Sequence, residues 1–228
     1  MITISSEVLG ISSPEKIIRD FSVLSGRVGL FGGSFDPIHS VHLEIAAELL
    51  AGGHLDRVIF IPAAQNPLKT VRPVSDLDRL AMILWAIADR PGLYVSPLEL
   101  DRGDLSYTVD TLSEIARKVP AGVELSWIIG SDCVGQLSQW HRISEIFSLA
   151  RVLVVQRDQV MTPAQWRAFV GSLNLDEKVR LQLIQNFIAR APNPVSSTAI
   201  RNRLLRGGAV SAVPDQVAAY IRSKNLYR

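Results

Sequence analysis

The chain has a single cysteine in 228 residues, Cys133, so it can form no internal disulfide and no multi-cysteine zinc site. That cysteine reads as a packing residue beside a functional loop. A dense Lys/Arg run is also missing. The 24 basic residues against 22 acidic ones leave a net charge of +2, and nothing marks a nucleic-acid surface. No stretch approaches the roughly 18 apolar residues of a membrane helix. The Met1 to Pro14 segment carries Glu7 and lacks the positive and apolar regions of a leader. These absences predict a cytoplasmic protein that meets neither nucleic acid nor membrane. What the chain has in quantity is hydrophobic residues, 47%, which is ample for a real core. Its length suits one α/β domain, alone or with a small appendage.

Residues 1–26 read as an N-terminal extension ahead of a domain over 27–228. Within the extension, Ser13-Pro14-Glu15 resembles a helix start, and Ile17, Ile18, Phe21 and Leu24 recur at helical spacing. A short helix packed on the domain is expected there. From Arg27 onward, Val28–Phe31, Val58–Ile61, Leu125–Ile129 and Arg151–Val155 read as buried strands. Leu93–Leu100 reads as a further extended segment, demoted in part by Pro97. Leu43, Ala46, Ala47 and Leu50 form a helical stripe closed by Gly52-Gly53, and Ser75 with Asp78 opens a helix running to about Asp89. Helices are also expected over Thr108–Val119, Gly135–Phe147, Pro163–Leu173, Glu177–Ile188, Thr198–Leu205 and Pro214–Lys224. Strands alternating with helices predict an α/β fold, a doubly wound parallel sheet with C-terminal helices. Such sheets bind ligands outside the carboxyl ends of their strands.

The segment Gly32-Gly33-Ser34-Phe35-Asp36-Pro37-Ile38-His39-Ser40-Val41-His42 sits where the first strand turns into the first helix. Two glycines let the backbone pass close to a ligand, with positive φ at no steric cost. The helix that follows aims its free N–H groups and dipole at the same space, an anion site. His39 and His42, three apart at the helix start, share a face, and a triphosphate alongside would favour their charged, doubly donating form. The segment is neither a Gly-x-Gly-x-x-Gly dinucleotide loop nor a Gly-Lys-Ser/Thr P-loop. A two-histidine metal site and a plain Gly-Pro turn with surface histidines remain as competing readings.

Near the C-terminus, Val195-Ser196-Ser197-Thr198-Ala199-Ile200-Arg201 places Ser197 and Thr198 at a helix N-terminus, with Arg201 one turn on. Its guanidinium can reach the same phosphate bidentately. Together the two segments resemble the signatures of the nucleotidyltransferase α/β-phosphodiesterase superfamily, Gly-Gly-x-Phe-Asp-Pro-x-His-x-Gly-His and Ile-Ser-x-Thr-x-Ile-Arg. Further segments narrow the resemblance: Pro62–Lys69, Glu99–Gly103, Ser106–Leu112, Trp127–Asp132 leading to Trp140, and the closing Tyr220-Ile221-Arg222 and Leu226-Tyr227-Arg228. Over about Arg27 to Arg228, and least over 157–190, the chain is similar to bacterial nicotinate-nucleotide adenylyltransferases.

That resemblance implies a Rossmann-like nucleotidyltransferase fold and adenylyl transfer from ATP to nicotinate mononucleotide, giving deamido-NAD and pyrophosphate. It implies that His39, His42 and Arg201 hold the ATP phosphates, with Gly32, Gly33, Ser34, Phe35, Ser197 and Thr198 nearby and Asp132 accepting a ribose hydroxyl. Thr108, beside Tyr107, would receive the nicotinate carboxylate, Trp140 would stack on the pyridine ring, and Lys69 would contact phosphate. Mg2+ would arrive with ATP, and no protein metal site is expected. Whether the chain forms a homo-oligomer stays open. One position departs from the family, which has glycine where this chain has Val41. A β-branched residue there stiffens the turn and adds bulk where the nucleotide approaches. Two alternatives follow: a sister transferase acting on nicotinamide mononucleotide or phosphopantetheine, and a nucleotide-binding protein with catalysis weakened by Val41.

Overall fold

The apolar runs become strands with continuously buried residues, as expected for a sheet covered on both faces. In the computed structural model, which describes residues 14–68, 73–157, 161–208 and 211–228, the strands are β1 (Arg27–Gly33), β2 (Arg57–Pro62), β3 (Leu93–Val95), β4 (Glu124–Gly130), β5 (Arg151–Val155) and β6 (Phe187–Ile188). They form a six-stranded parallel sheet in the order β3-β2-β1-β4-β5-β6. The helices are α1 (Ser40–Ala51), α2 (Asp76–Ile87), α3 (Leu98–Arg102), α4 (Thr108–Ala116), α5 (Ile143–Leu149), α6 (Pro163–Gly171), α7 (Glu177–Gln185), α8 (Ser197–Leu205) and α9 (Asp215–Ser223). The strand order reverses at β1, which pairs in parallel with β4, Phe31 opposite Ile128. A ligand site is expected at the carboxyl ends of strands flanking such a switch point.

The chain divides into two compact units. One holds residues 14–19, Gly33–Ser106 and Val195–Arg228, with the β2–β3 ladder. Its N-terminal piece is tied down by a bridge from Ile17 to Val95 and an ion pair from Arg19 to Asp101. The other holds Asp20–Gly32 and Tyr107–Pro194, with the ladders joining β1, β4, β5 and β6.

Four local expectations change. Residues 14–24 form no α-helix but two 3-10 turns, Pro14–Lys16 and Phe21–Val23. Asp20 stays extended and its carboxylate accepts the Ser22 N–H, which starts a new turn instead of continuing the old one. The extended segment from Leu93 stops at Val95, and α3 begins directly after Pro97. Proline's fixed φ suits a helix start, and Gly103 in the left-handed region (φ 77°) stops it. The single helix expected over 135–147 is a 3-10 helix, Ser131–Gln139, then α5, broken at Arg142 with φ 50°. The helix expected to reach Ile188 ends at Gln185, because Phe187 and Ile188 pair with Val154 and Val155. Residues 1–13 of the expected N-terminal extension lie outside the described residues.

Candidate active site

In the first unit, the turn after β1 is built around a strained residue. Phe35 has φ 47°, a left-handed value that a bulky side chain adopts only under constraint. Gly32 and Gly33, where positive φ carries no steric cost, do not adopt it; Phe35 does. Phe35 is buried, and its ring meets the edges of His42 and Phe60 with centroids 5.0 and 5.4 Å away. Gly33 makes room for that ring: a Cβ on Gly33 would lie 3.0 Å from the Phe35 ring tip. Phe35 therefore serves the site through packing.

The two histidines do share a face. His39 is the N-cap residue of α1 and His42 lies in its first turn; their rings stack, centroids 3.7 Å apart at 23°. His42 Nδ1 accepts the His39 backbone N–H at 3.3 Å, which places the proton of a neutral His42 on Nε2. His39 is fully buried and His42 half-buried, so His42 presents the accessible ring. The N–H groups at this helix start are less free than expected, since Ser40 donates to the Ala212 carbonyl at 2.8 Å. Val41 is fully buried. Its side chain packs inside the first unit, beneath the surface that carries the half-buried His42.

α8 closes on the same turn. Ser196, one residue before the expected pair, is the N-cap and accepts from Ala199 N–H. Ser197 donates its hydroxyl to the Pro37 carbonyl at 2.9 Å. Arg201 donates Nη1 to the Asp36 carbonyl at 2.8 Å and Nη2 to the exposed Thr198 hydroxyl at 3.3 Å. Its guanidinium is thus anchored to the turn rather than offered as a free fork, while staying about a quarter exposed. The Asp36 carboxylate lies 3.6 Å from Arg201 and also accepts the Tyr227 hydroxyl at 2.7 Å and the Val74 N–H at 3.3 Å. Burial, then the charge and hydrogen bond of Asp36, push the Tyr227 hydroxyl far above the usual phenol range. Fully buried Arg79 donates Nη1 to the Ser34 carbonyl at 2.8 Å and pairs with Asp76. Sequence reasoning assigned no role to Asp36, Arg79 or Tyr227, although Asp36 lies within the Gly32–His42 segment and Tyr227 within the closing Leu226-Tyr227-Arg228; for Arg79 there was no signal. Lys69 lies outside the described residues.

In the second unit, Gly32 faces Trp127 of β4. A Cβ on Gly32 would fall 2.3 Å from the Trp127 ring, so this glycine admits an indole. At the end of β4, Gly130 leaves space for the Asp132 carboxylate, which would lie 2.2 Å from a Cβ there. Asp132 accepts from Arg157 Nη1 at 3.0 Å, and Ser131 Oγ accepts the Arg157 N–H at 3.2 Å. Arg157, just beyond β5, is a partner that the local sequence did not disclose. Tyr107 is the N-cap residue of α4, with Thr108 first in the helix. The Tyr107 ring lies 5.0 Å from His141, and Arg142 reaches Asp110 at 3.7 Å. These contacts hold the Trp140–Arg142 break against the start of α4. Trp140 is half-buried, like Trp85 and unlike the buried Trp127 and Trp166. Thus the unit gathers Tyr107, Thr108 and Trp140 in one neighbourhood.

Among the described residues, no group of three His, Cys, Asp or Glu side chains is arranged to hold a metal ion. Nor is any described helix long and apolar enough to cross a membrane.

The Cytidylyltransferase-like family model matches residues 30–203, a span that includes both signatures, Gly32–His42 and Val195–Arg201, in full. A relative from Gemmatimonas aurantiaca is 38% identical over 203 residues, 89% of this chain and 92% of the relative. One from Herpetosiphon aurantiacus is 39% identical over 202 residues, 88% and 98% of the two chains. Both carry the name "Probable nicotinate-nucleotide adenylyltransferase". Among solved structures, the nicotinic acid mononucleotide adenylyltransferase of Plasmodium falciparum, complexed with NaAD, superposes with a TM-score of 0.65. At 16% identity, with 89% of this chain and 97% of that one covered, it shows the same fold. With the sequence match running along nearly the whole length of its relatives, the chain belongs to the cytidylyltransferase-like family and, within it, to the nicotinate-nucleotide adenylyltransferases.

Proposed function

We propose that the chain transfers the adenylyl group of ATP to nicotinate mononucleotide, forming nicotinate adenine dinucleotide and releasing pyrophosphate. Family membership names the reaction, and the stacked His39–His42 pair at the head of α1 is the observation that carries it to particular atoms. A phosphate oxygen of the mononucleotide attacks the ATP α-phosphorus. The bond to the β-phosphate bridging oxygen breaks, and pyrophosphate leaves in line. The nucleophile is already anionic, so no strong general base is required. Catalysis then rests on positioning, worth on the order of 7–11 kcal/mol, and on donors aimed at developing charge.

His42 Nε2 is placed to donate, because Nδ1 is taken by the His39 N–H. Arg201 supplies a fixed positive charge whose direction is set by its bond to Asp36. In this reading Ser34, Gly33 and Thr198 border the phosphates, while Ser197 ties α8 to the turn through Pro37. Asp132, steadied by Arg157, accepts a ribose hydroxyl. Thr108 and the N–H groups at the start of α4 receive the nicotinate carboxylate, where a helix N-terminus favours an anion. Trp140 stacks on the pyridine ring, and Lys69 contacts phosphate. In this reading magnesium arrives with the triphosphate and would neutralise its oxygens when bound.

ATP labelled at the α-phosphate, supplied with a panel of phosphorylated acceptors, tests the reading. Label entering a dinucleotide with nicotinate mononucleotide, and far less with nicotinamide mononucleotide or phosphopantetheine, is the expected result. Preferential labelling of another acceptor's product would replace the assignment.

A further inference from the structure

We propose that Tyr227, at the C-terminal end of the chain, is a positioning residue that restrains Asp36 and thereby keeps Arg201 available to the phosphates. The inference rests on the adenylyl-transfer reading above. Its starting point is the strained Phe35, whose flanking residues are each held by hydrogen bonds from distant parts of the unit. On one side Arg79 grips the Ser34 carbonyl. On the other, Asp36 is held through its carbonyl by Arg201 and through its carboxylate by Tyr227 and Val74. A residue at φ 47° persists when its surroundings over-determine it, and these bonds do so.

The geometry of Asp36 shows what Tyr227 prevents. Its Oδ1 takes the Tyr227 hydroxyl at 2.7 Å, and its Oδ2 stays 3.6 Å from Arg201, beyond hydrogen-bond distance. Arg201 therefore donates to the Asp36 carbonyl and forms only a long ion pair with the Asp36 carboxylate, which takes no hydrogen bond from the guanidinium. Without the tyrosine hydroxyl, Val74 N–H is the remaining partner of Oδ1, and the carboxylate can turn to close on the guanidinium. The tail that delivers Tyr227 is itself held in an uncommon shape, with Asn225 at φ 53° and Tyr227 at φ 62°. Tyr220 offers a built-in comparison. Its hydroxyl donates to Asp78 at 2.9 Å, joining α9 to α2 rather than bonding to Asp36.

The test compares Tyr227→Phe with Tyr220→Phe. Tyr227→Phe is expected to lower kcat at least about tenfold while KM for nicotinate mononucleotide changes less than about twofold. Tyr220→Phe, with a comparable fall in Tm, is expected to keep kcat within about twofold. Adding Tyr227→Phe to Asp36→Asn should cost no further turnover, because the carboxylate through which the tyrosine acts is gone. A second readout needs no substrate: the ring NMR signals of His39 and His42 should shift in Tyr227→Phe and stay fixed in Tyr220→Phe. His54 and His141 serve as internal references. Equal kcat losses in both tyrosine variants, additive losses in the double variant, or unmoved His39 and His42 signals would each overturn the proposal. Failure of the adenylyl-transfer reading shows separately, as a wild-type protein that labels no nicotinate dinucleotide, and leaves the NMR comparison intact.

Discussion

His42 and His39 are joined twice, by rings stacked at 3.7 Å and by a hydrogen bond from the His39 N–H to His42 Nδ1. The second contact makes His42 a cap of α1 through Nδ1, while the proposed reading assigns its Nε2 to the phosphates, and the two roles separate by substitution. His42→Asn keeps a short acceptor near the His39 N–H but loses Nε2. It should hold stability within about 0.5 kcal/mol of wild type, whereas His42→Ala should lose about 0.5–2 kcal/mol, the usual range for a lost N-terminal cap. Urea unfolding measures both, and equal losses would show that the Nδ1 contact contributes nothing to the fold.

Gly32 admits the Trp127 ring, so Gly32→Ala is expected to destabilise by about 1–3 kcal/mol through overpacking. The large end of a buried indole has nowhere to go. Trp127→Leu combined with Gly32→Ala should cost less than the sum of the two single changes, since the smaller side chain gives the new methyl its space. Additive losses in denaturant unfolding would contradict this.

Val41 is buried, so Val41→Gly should act on stability and not on the ligand. The expected loss is about 2–4 kcal/mol, combining lost burial with the cost of glycine in a helix. ATP affinity measured by calorimetry should stay within about twofold. Tighter binding by the variant would restore the idea that Val41 crowds the nucleotide.

Tyr227 is held protonated in the folded protein well above the ordinary phenol range. An unfolded tyrosine ionises near pH 10. Below that pH both states carry the proton and the contribution is complete. Above it the unfolded state releases a proton that the folded state keeps, so stability falls as pH rises. Unfolding measured between pH 9 and 11 should show a steeper decline in wild type than in Tyr227→Phe. Parallel curves would refute the assignment.

Much of this arrangement is legible locally. The uninterrupted apolar runs at 28–31, 58–61, 125–129 and 151–155 can satisfy their burial only inside a covered parallel sheet, and they do. Gly52-Gly53 and Ser75 end and begin helices where such residues should. Pro97 misled, because one proline both ends an extended run and starts a helix. The break at Trp140–Arg142 escaped notice because it depends on contacts with Tyr107 and Asp110, more than 30 positions away. The same applies more strongly to the site. His39 and His42 are neighbours in sequence and were visible. Asp36 meets Tyr227 across 191 positions and Arg201 across 165, and no periodicity or spacing encodes such pairs. Arg157 joins Asp132 only because β4 and β5 are adjacent strands.

The central claim is that His42 and Arg201 act on the phosphates of ATP during adenylyl transfer. The most direct measurement is the initial rate of pyrophosphate release with ATP and nicotinate mononucleotide, for wild type, His42→Ala and Arg201→Ala side by side. Each substitution should lower turnover at least about a hundredfold, the scale of losing one preorganised donor. Near-normal turnover in either variant would contradict the account.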